Sequence, residues 1–344
     1  MRNVSIARLR FFVLQVLFFA GLLASSAVLA LQAPAGATRK TQISAAATQR
    51  PAPTIALADS VNLPQTNGNL KFGLFTDTPN VHATEAELGS KLDIVAWFTH
   101  WDQSLGNNKL SQACTAGYVP EITWESWNGQ AQGTQDTYPL GDIVSGKYDS
   151  FIRSNLQQVK NLCGSRTVLL RFDHEMATIP GLQGWYPWQG NPEAYIAAWQ
   201  HVVQLGRGID PNIKWVWSPN RGTAFDAQYY PGNGWVDYVG ITLNHRPGQE
   251  SYQTFAAFYN DNRQVIESFA KPVIIAETTS AEGFGQKAGW VKNMFEYASH
   301  DPNIVAIVWF NGSPSASDER FDSSPASLIA FREALNTLHA QEKK

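Results

Sequence analysis

Charge and sulfur are scarce in this chain. Only 16% of its 344 residues are charged, against roughly a quarter in an ordinary soluble domain. It holds 2 Cys and 3 Met. Two cysteines exclude a disulfide-dense miniature scaffold. A formal net charge of −3 argues against a nucleic-acid binder or an anionic-membrane binder, because both need a surplus of Lys and Arg. The seven histidines, at 82, 100, 174, 201, 245, 300 and 339, form no HExxH motif and no paired His/Cys spacing. No metal site and no cofactor are therefore expected. Disorder is excluded for most of the chain, since 44% of it is apolar. What is plentiful is aromatic surface, at 12% of residues including 12 Trp.

The N-terminus reads as an export segment. Arg2, Arg8 and Arg10 precede an apolar run from Phe11 to Leu31, and no acid occurs before Asp59. A positive n-region, an apolar h-region and small residues (Val28-Leu29-Ala30 or Ala35-Gly36-Ala37) make a secretory signal over residues 1–37. The same run, about the ~20 residues a span needs, also suits an uncleaved anchor through residues 11–31. The protein is expected to be secreted or periplasmic, with no other membrane contact. Residues 38–68, rich in Ala, Thr, Gln and Pro, read as a flexible linker. Residues 69–341 then form one domain without an internal break in composition.

Within that domain eight β-rich runs occur: Lys71–Thr76, Asp93–Thr99, Tyr118–Trp124, Thr167–Asp173, Ile213–Ser218, Val236–Leu243, Pro272–Glu277 and Ile304–Phe310. Most are continuously apolar, which suits strands of a parallel sheet covered on both faces. Amphipathic stretches of helical length lie between several of them, at Tyr148–Leu162, Asn191–Leu205, Ser251–Phe269 and Lys287–Ala298. Only Gly222–Gly234 reads as a loop where a helix should be. Eight strands alternating with helices predict an α/β fold, a (β/α)8 TIM barrel, with a doubly wound open sheet as the alternative.

Active sites of such barrels lie at the C-terminal strand ends. Here those ends are rich in Trp, Asn, His and carboxylates. Glu175 ends the fourth strand and Glu277 the seventh, so the two face each other across the mouth. One carboxylic acid to protonate a leaving oxygen and one carboxylate to attack an anomeric carbon is the equipment of glycoside hydrolysis. Arg171 lies four residues before Glu175, so strand alternation directs both inward. A cation there keeps one carboxylate ionised while desolvation keeps the other protonated. Asp173 shares the parity and is expected to pair with Arg171.

Arg171-Phe172-Asp173-His174-Glu175-Met176, followed by Gly184-Trp185-Tyr186-Pro187-Trp188, resembles the acid/base segment of glycoside hydrolase family 26. That family includes endo-β-mannanases and mixed-linkage β-glucanases and uses a retaining mechanism on a (β/α)8 barrel. Trp199, His201 and Lys214–Asn220 resemble its next helix and fifth strand, Val119–Glu125 its third strand, and Lys271–Glu277 its nucleophile strand. The resemblance implies Glu175 as acid/base, Glu277 as nucleophile and His174 as a substrate contact. Two departures stand out. Ala177-Thr178 replace the family's Asn-Gly, with Ile179–Gln183 as extra loop, and Asn244 stands where the family has a Tyr bonded to the nucleophile.

The expected function is an endo-β-glycosidase acting, as a monomer, on a polysaccharide substrate. A non-catalytic glycan-binding or exopolysaccharide-associated module on a degenerate barrel is the alternative, and the loss of the Tyr supports it. Sugar faces stack on aromatic planes, so Trp101, Trp124, Trp127, Trp185, Trp188 and Trp309 are read as cleft walls, with Trp309 under the sugar being cleaved. Trp199, Trp215 and Trp290 are read as packing. Cys114 and Cys163 precede neighbouring strands and are expected to form a structural disulfide after export. Gly283–Ala288 loosely matches a dinucleotide fingerprint and is read as a Gly-rich loop. Asn311-Gly312-Ser313 fits a glycosylation sequon.

Overall fold

A computed structural model describes residues 70–76, 81–129, 137–177, 184–246, 253–282, 285–312 and 318–342. The expected export segment and linker lie outside these residues, as do Thr178–Gln183, Gly283, Phe284 and Ser313.

Eight parallel strands close into a barrel in sequence order, the first pairing with the last. They are β1 (Lys71–Phe75), β2 (Ile94–His100), β3 (Val119–Glu125), β4 (Val168–Phe172), β5 (Ile213–Trp217), β6 (Tyr238–His245), β7 (Val273–Ser280) and β8 (Ile304–Phe310). All eight expected strands are present. Every residue of β4 and β7 is buried, which explains their unbroken apolar sequences: one face meets the barrel interior, the other the helices. The interior floor is a cluster of Ile94, Ala96, Leu169, Val216, Ile274, Ala276, Ala306 and Val308.

The helices are α1 (His82–Leu88), α2 (Asn108–Ala116), α3 (Leu140–Val144), α4 (Asp149–Cys163), α5 (Pro192–Ile209), α6 (Phe255–Asn260), α7 (Arg263–Ser268), α8 (Lys287–His300) and α9 (Pro325–Glu342). Asn191 caps α5 by accepting from the Ala194 N–H, and Pro192 occupies the first turn, where its missing N–H costs nothing. Gly206 of α5 lies so close to the Trp215 indole that a Cβ would stand 2.2 Å from a ring carbon. Glycine there lets helix and sheet approach. The single helix expected over Ser251–Phe269 is two, because the chain turns at Asp261-Asn262 between α6 and α7. Gly222–Gly234 holds one short 3-10 turn, at Asp226–Tyr229, and the start of a second, at Asn233–Trp235.

Cys114 and Cys163 are disulfide-bonded with Cα atoms 5.2 Å apart, tying the last turns of α2 and α4. Closing a loop across a sequence separation of 49 residues restricts the unfolded chain by about 4 kcal/mol in the chain-entropy account. Among the described residues no helix is long and apolar enough to cross a membrane.

Candidate active site

Arg171, on β4, is 2% exposed and organises the barrel mouth. Its Nε donates to Ser218 Oγ at 2.7 Å, Nη1 to Thr123 Oγ1 at 3.2 Å and Nη2 to Thr242 Oγ1 at 3.2 Å. Nη1 also stands 3.6 Å from Oε2 of Glu277. Hydroxyls from β3, from β6 and from the residue just past β5 thus fix a buried guanidinium against one carboxylate, which a buried cation requires.

Glu277 reaches the interior through a bulge. Thr242 of β6 pairs with Glu277 and Ile241 with Ile275, so Ala276 is the extra residue. The pairing with β8 slips at the same place. The bulge breaks strict alternation: Ala276 joins the interior cluster, yet Glu277 also turns inward to Arg171 and to Asn244, whose Nδ2 donates to Oε1 at 2.9 Å.

Glu175 lies just beyond β4 on strained backbone. Asp173 has φ 42° and Glu175 φ 49°, a left-handed region that disfavours both. Neighbouring groups hold this turn. The Asp173 carboxylate accepts from the N–H and hydroxyl of Ser126, at 2.8 and 2.7 Å. Asp173 therefore pairs with Ser126 rather than with Arg171, because the backbone reverses after Phe172 and carries its side chain toward β3. The Glu175 N–H donates to Ser218 O at 2.8 Å. Gln189 Nε2 donates to Glu175 O at 2.6 Å and Trp188 Nε1 to His174 O at 2.8 Å. Gln189 Oε1 accepts from the N–H groups of Trp185 and Tyr186. The aromatic loop thereby clamps the segment that presents Glu175.

Burial and the nearby negative charge of Glu277 push the Glu175 carboxyl up to about 7, with Arg171 and the Thr242 hydroxyl opposing. Burial, helped by the Arg171 charge, holds His174 well below the ordinary histidine value, so its ring is neutral. His174 Nε2 meets the Tyr186 hydroxyl at 3.2 Å and Nδ1 lies 3.6 Å from Glu125 Oε1. The other oxygen of Glu125 is 3.1 Å from His100 Nε2. One nitrogen of His174 and one oxygen each of Glu175 and Glu277 lie within 4.8 Å of one another, a set able to ligate a metal ion.

The tryptophans divide differently from the sequence reading. Phe75 and Phe310 are register partners that stack at 4.7 Å, while Trp309 pairs with Leu74 on the outer face. Trp309 is 0% exposed, meets Phe331 of α9 edge-on and donates to Glu319 O. Trp124 and Trp101 pack on each other and on Phe151 of α4. These three indoles fill the layer between sheet and helices and offer no face to a sugar, which corrects the expectation that they wall a cleft. Trp188 and Trp127 are also buried, edge-on to each other behind His174. Trp185, in contrast, is half-buried. Aromatic rings at the mouth come instead from Phe310, Phe75 and Phe98, which lead to His174. Parity with Ala306 and Val308 on β8 marks Phe310 as the inward residue. Glu125, with Thr123 and Glu121, is inward on β3 by the same rule.

A family model described as Glycosyl hydrolase family 26 matches residues 82–311. Endoglucanase H of Acetivibrio thermocellus is 32% identical over 305 residues, covering 82% of this chain and 32% of that protein. The chain thus spans about a third of the length of that relative. Among solved structures, the β-mannanase of Bacteroides ovatus is similar with a TM-score of 0.59 at 15% identity, covering 79% of this chain and 90% of the other. The endo-β-1,4-mannanase of Bacillus sp. JAMB-750 has a TM-score of 0.59 at 17% identity, with 78% and 86% covered. Xylanase 10B of Thermotoga maritima has a TM-score of 0.56 at 12% identity, with 80% and 97% covered. At such identities these structures speak for the barrel fold alone.

Proposed function

The chain belongs to glycosyl hydrolase family 26, and on that premise we propose that it is an exported retaining endo-β-glycosidase acting on a β-linked mannan or glucan. The observation that carries the reading is the approach of the two carboxylates. Oxygens of Glu175 and Glu277 lie within 4.8 Å. Retaining enzymes hold their carboxyl groups ~5–5.5 Å apart, whereas inverting enzymes leave ~6.5–9.5 Å for a water.

In the first step the Glu277 carboxylate attacks the anomeric carbon. The glycosidic C–O bond breaks as protonated Glu175 gives its proton to the leaving oxygen. Arg171 and Asn244 hold Glu277 in line. In the second step the Glu175 carboxylate takes a proton from water, the water oxygen attacks the same carbon, and Glu277 departs. Between the two substrate classes, the likeness to Endoglucanase H favours a β-glucan.

Two measurements test this. A reducing-sugar screen over mannan, galactomannan, barley glucan, laminarin and xylan identifies the substrate. A 2-fluoro glycosyl inhibitor should then label Glu277. Glycan binding with neither turnover nor label would overturn the enzyme reading in favour of a binding module.

A further inference from the structure

Arg246 directly follows β6 and is two residues beyond Asn244. Its charge bears on both Glu175 and Glu277. Its guanidinium sits 5.4 Å from the centre of the Phe310 ring at the end of β8. Nε donates to Oε1 of Glu319 at 2.7 Å and Nη2 to Oε2 at 3.2 Å, so the pair is bidentate. Such a pair fixes the plane of the guanidinium as well as its place.

Glu319 is 0% exposed and firmly seated. Its N–H donates to Gly312 O, and its carbonyl accepts from Trp309 Nε1 at 2.8 Å. The segment around it is pinned by Lys287 of α8, itself 1% exposed. The Lys287 ammonium donates to the carbonyls of Asp318 and Arg320 and to Ser323 Oγ at 2.7 Å. It also lies over the Trp309 ring. Burying a lysine and a glutamate is costly unless their bonds are complete. Here that buried scaffold converges on one partly exposed guanidinium beside the inward-facing ring of Phe310.

The charge balance indicates what this group meets. Glu319 neutralises Arg246 and Glu277 is engaged with Arg171, so neither guanidinium is left as an uncompensated cation. A mouth of that character offers little to an anionic glycan and suits neutral hydroxyls, to which a guanidinium edge can donate. We propose that Arg246 is a specificity-determining residue that hydrogen-bonds hydroxyl groups of a neutral sugar unit beside the cleavage point, oriented by Glu319 and Phe310. This rests on the glycosidase reading above.

The test compares wild type, R246K, R246M and E319Q on cellohexaose, a mixed-linkage glucan hexasaccharide and mannohexaose, with Tm measured in parallel. R246K keeps the charge and loses the fork, so KM should rise about tenfold or more while kcat stays within about threefold. E319Q should move KM in the same direction. The basic limb of the kcat/KM profile should stay in place in R246K. It should move to higher pH in R246M, because the Arg246 charge helps Glu175 release its proton. If R246K and E319Q lower Tm but leave KM as in wild type, the pair is a rim clamp and the inference is overturned while the glycosidase reading stands. A wild type that neither cleaves nor binds the three oligosaccharides overturns both.

Discussion

Asn244 donates a hydrogen bond to the Glu277 carboxylate at 2.9 Å. A bond to a charged group contributes roughly 1.5–3 kcal/mol. The shorter side chain that stands where the resemblance places a tyrosine therefore still supplies a donor to the Glu277 carboxylate. N244A should lower kcat by about tenfold or more, with the fold retained. N244D should lose more, because it sets a second negative charge against Glu277. Steady-state kinetics on the substrate found by screening decides this, and an N244A enzyme at full speed would refute the supporting role.

The basic limb of activity should come from Glu175. Burial and the Glu277 charge push this carboxyl up to about 7. A general acid must be protonated, so kcat/KM should fall as pH rises through about 7. In the E277Q variant the repelling charge is gone, and the Glu175 carboxyl should titrate at lower pH than in wild type. Carboxyl NMR titration of the two proteins measures this directly; an unchanged or higher value in E277Q would contradict the assigned cause.

Glu121 should weaken the fold as pH rises. It is 1% exposed on β3, and its Oε2 has no hydrogen-bond partner among the described residues. Burial pushes its carboxyl up to about 8, with Arg171 opposing and Glu277 adding. The unfolded chain releases this proton near 4.5, while the folded protein keeps it to about 8. Between those values the unfolded state binds fewer protons, so stability declines with pH. E121Q cannot ionise there. Its advantage over wild type should be absent below about pH 4.5 and grow to a few kcal/mol near pH 8. Denaturation curves across that range check it, and parallel pH profiles would sink the idea.

Legibility in the sequence followed the physics of each element. The eight strands could be read because burial on both faces leaves unbroken apolar runs such as Ile304–Phe310. Arg171 could be aimed inward by alternation alone. Alternation failed after Phe172, where positive φ at Asp173 and Glu175 redirects the chain, and at Ala276, where the bulge turns Glu277 inward. Neither feature leaves a mark in residue type. The tryptophan error had another source. A position at a strand end tells how near a residue lies to the mouth, not which side of the sheet it faces. Trp124 and Trp309 share the outward parity of Ile122 and Ile307, buried residues two positions earlier on the same strands. That comparison was open to sequence reading.

Trp309 and Phe310 therefore offer a paired test of which residue serves the site. Trp309 is wholly buried against Phe331, and its indole N–H satisfies the Glu319 carbonyl. Truncating it leaves a cavity and an unpaired carbonyl, so W309A should lose about 3–5 kcal/mol of stability. The conservative W309F restores most of the volume and should bring back much of that loss. Phe310 is the inward neighbour that seats Arg246 and stacks on Phe75. F310A should raise KM more than W309F does, because it removes the ring on which the guanidinium rests. Chemical denaturation and Michaelis–Menten kinetics on the same preparations separate the two effects. If W309F raised KM while F310A did not, the outward tryptophan would be the substrate contact and the assignment of sides would be wrong.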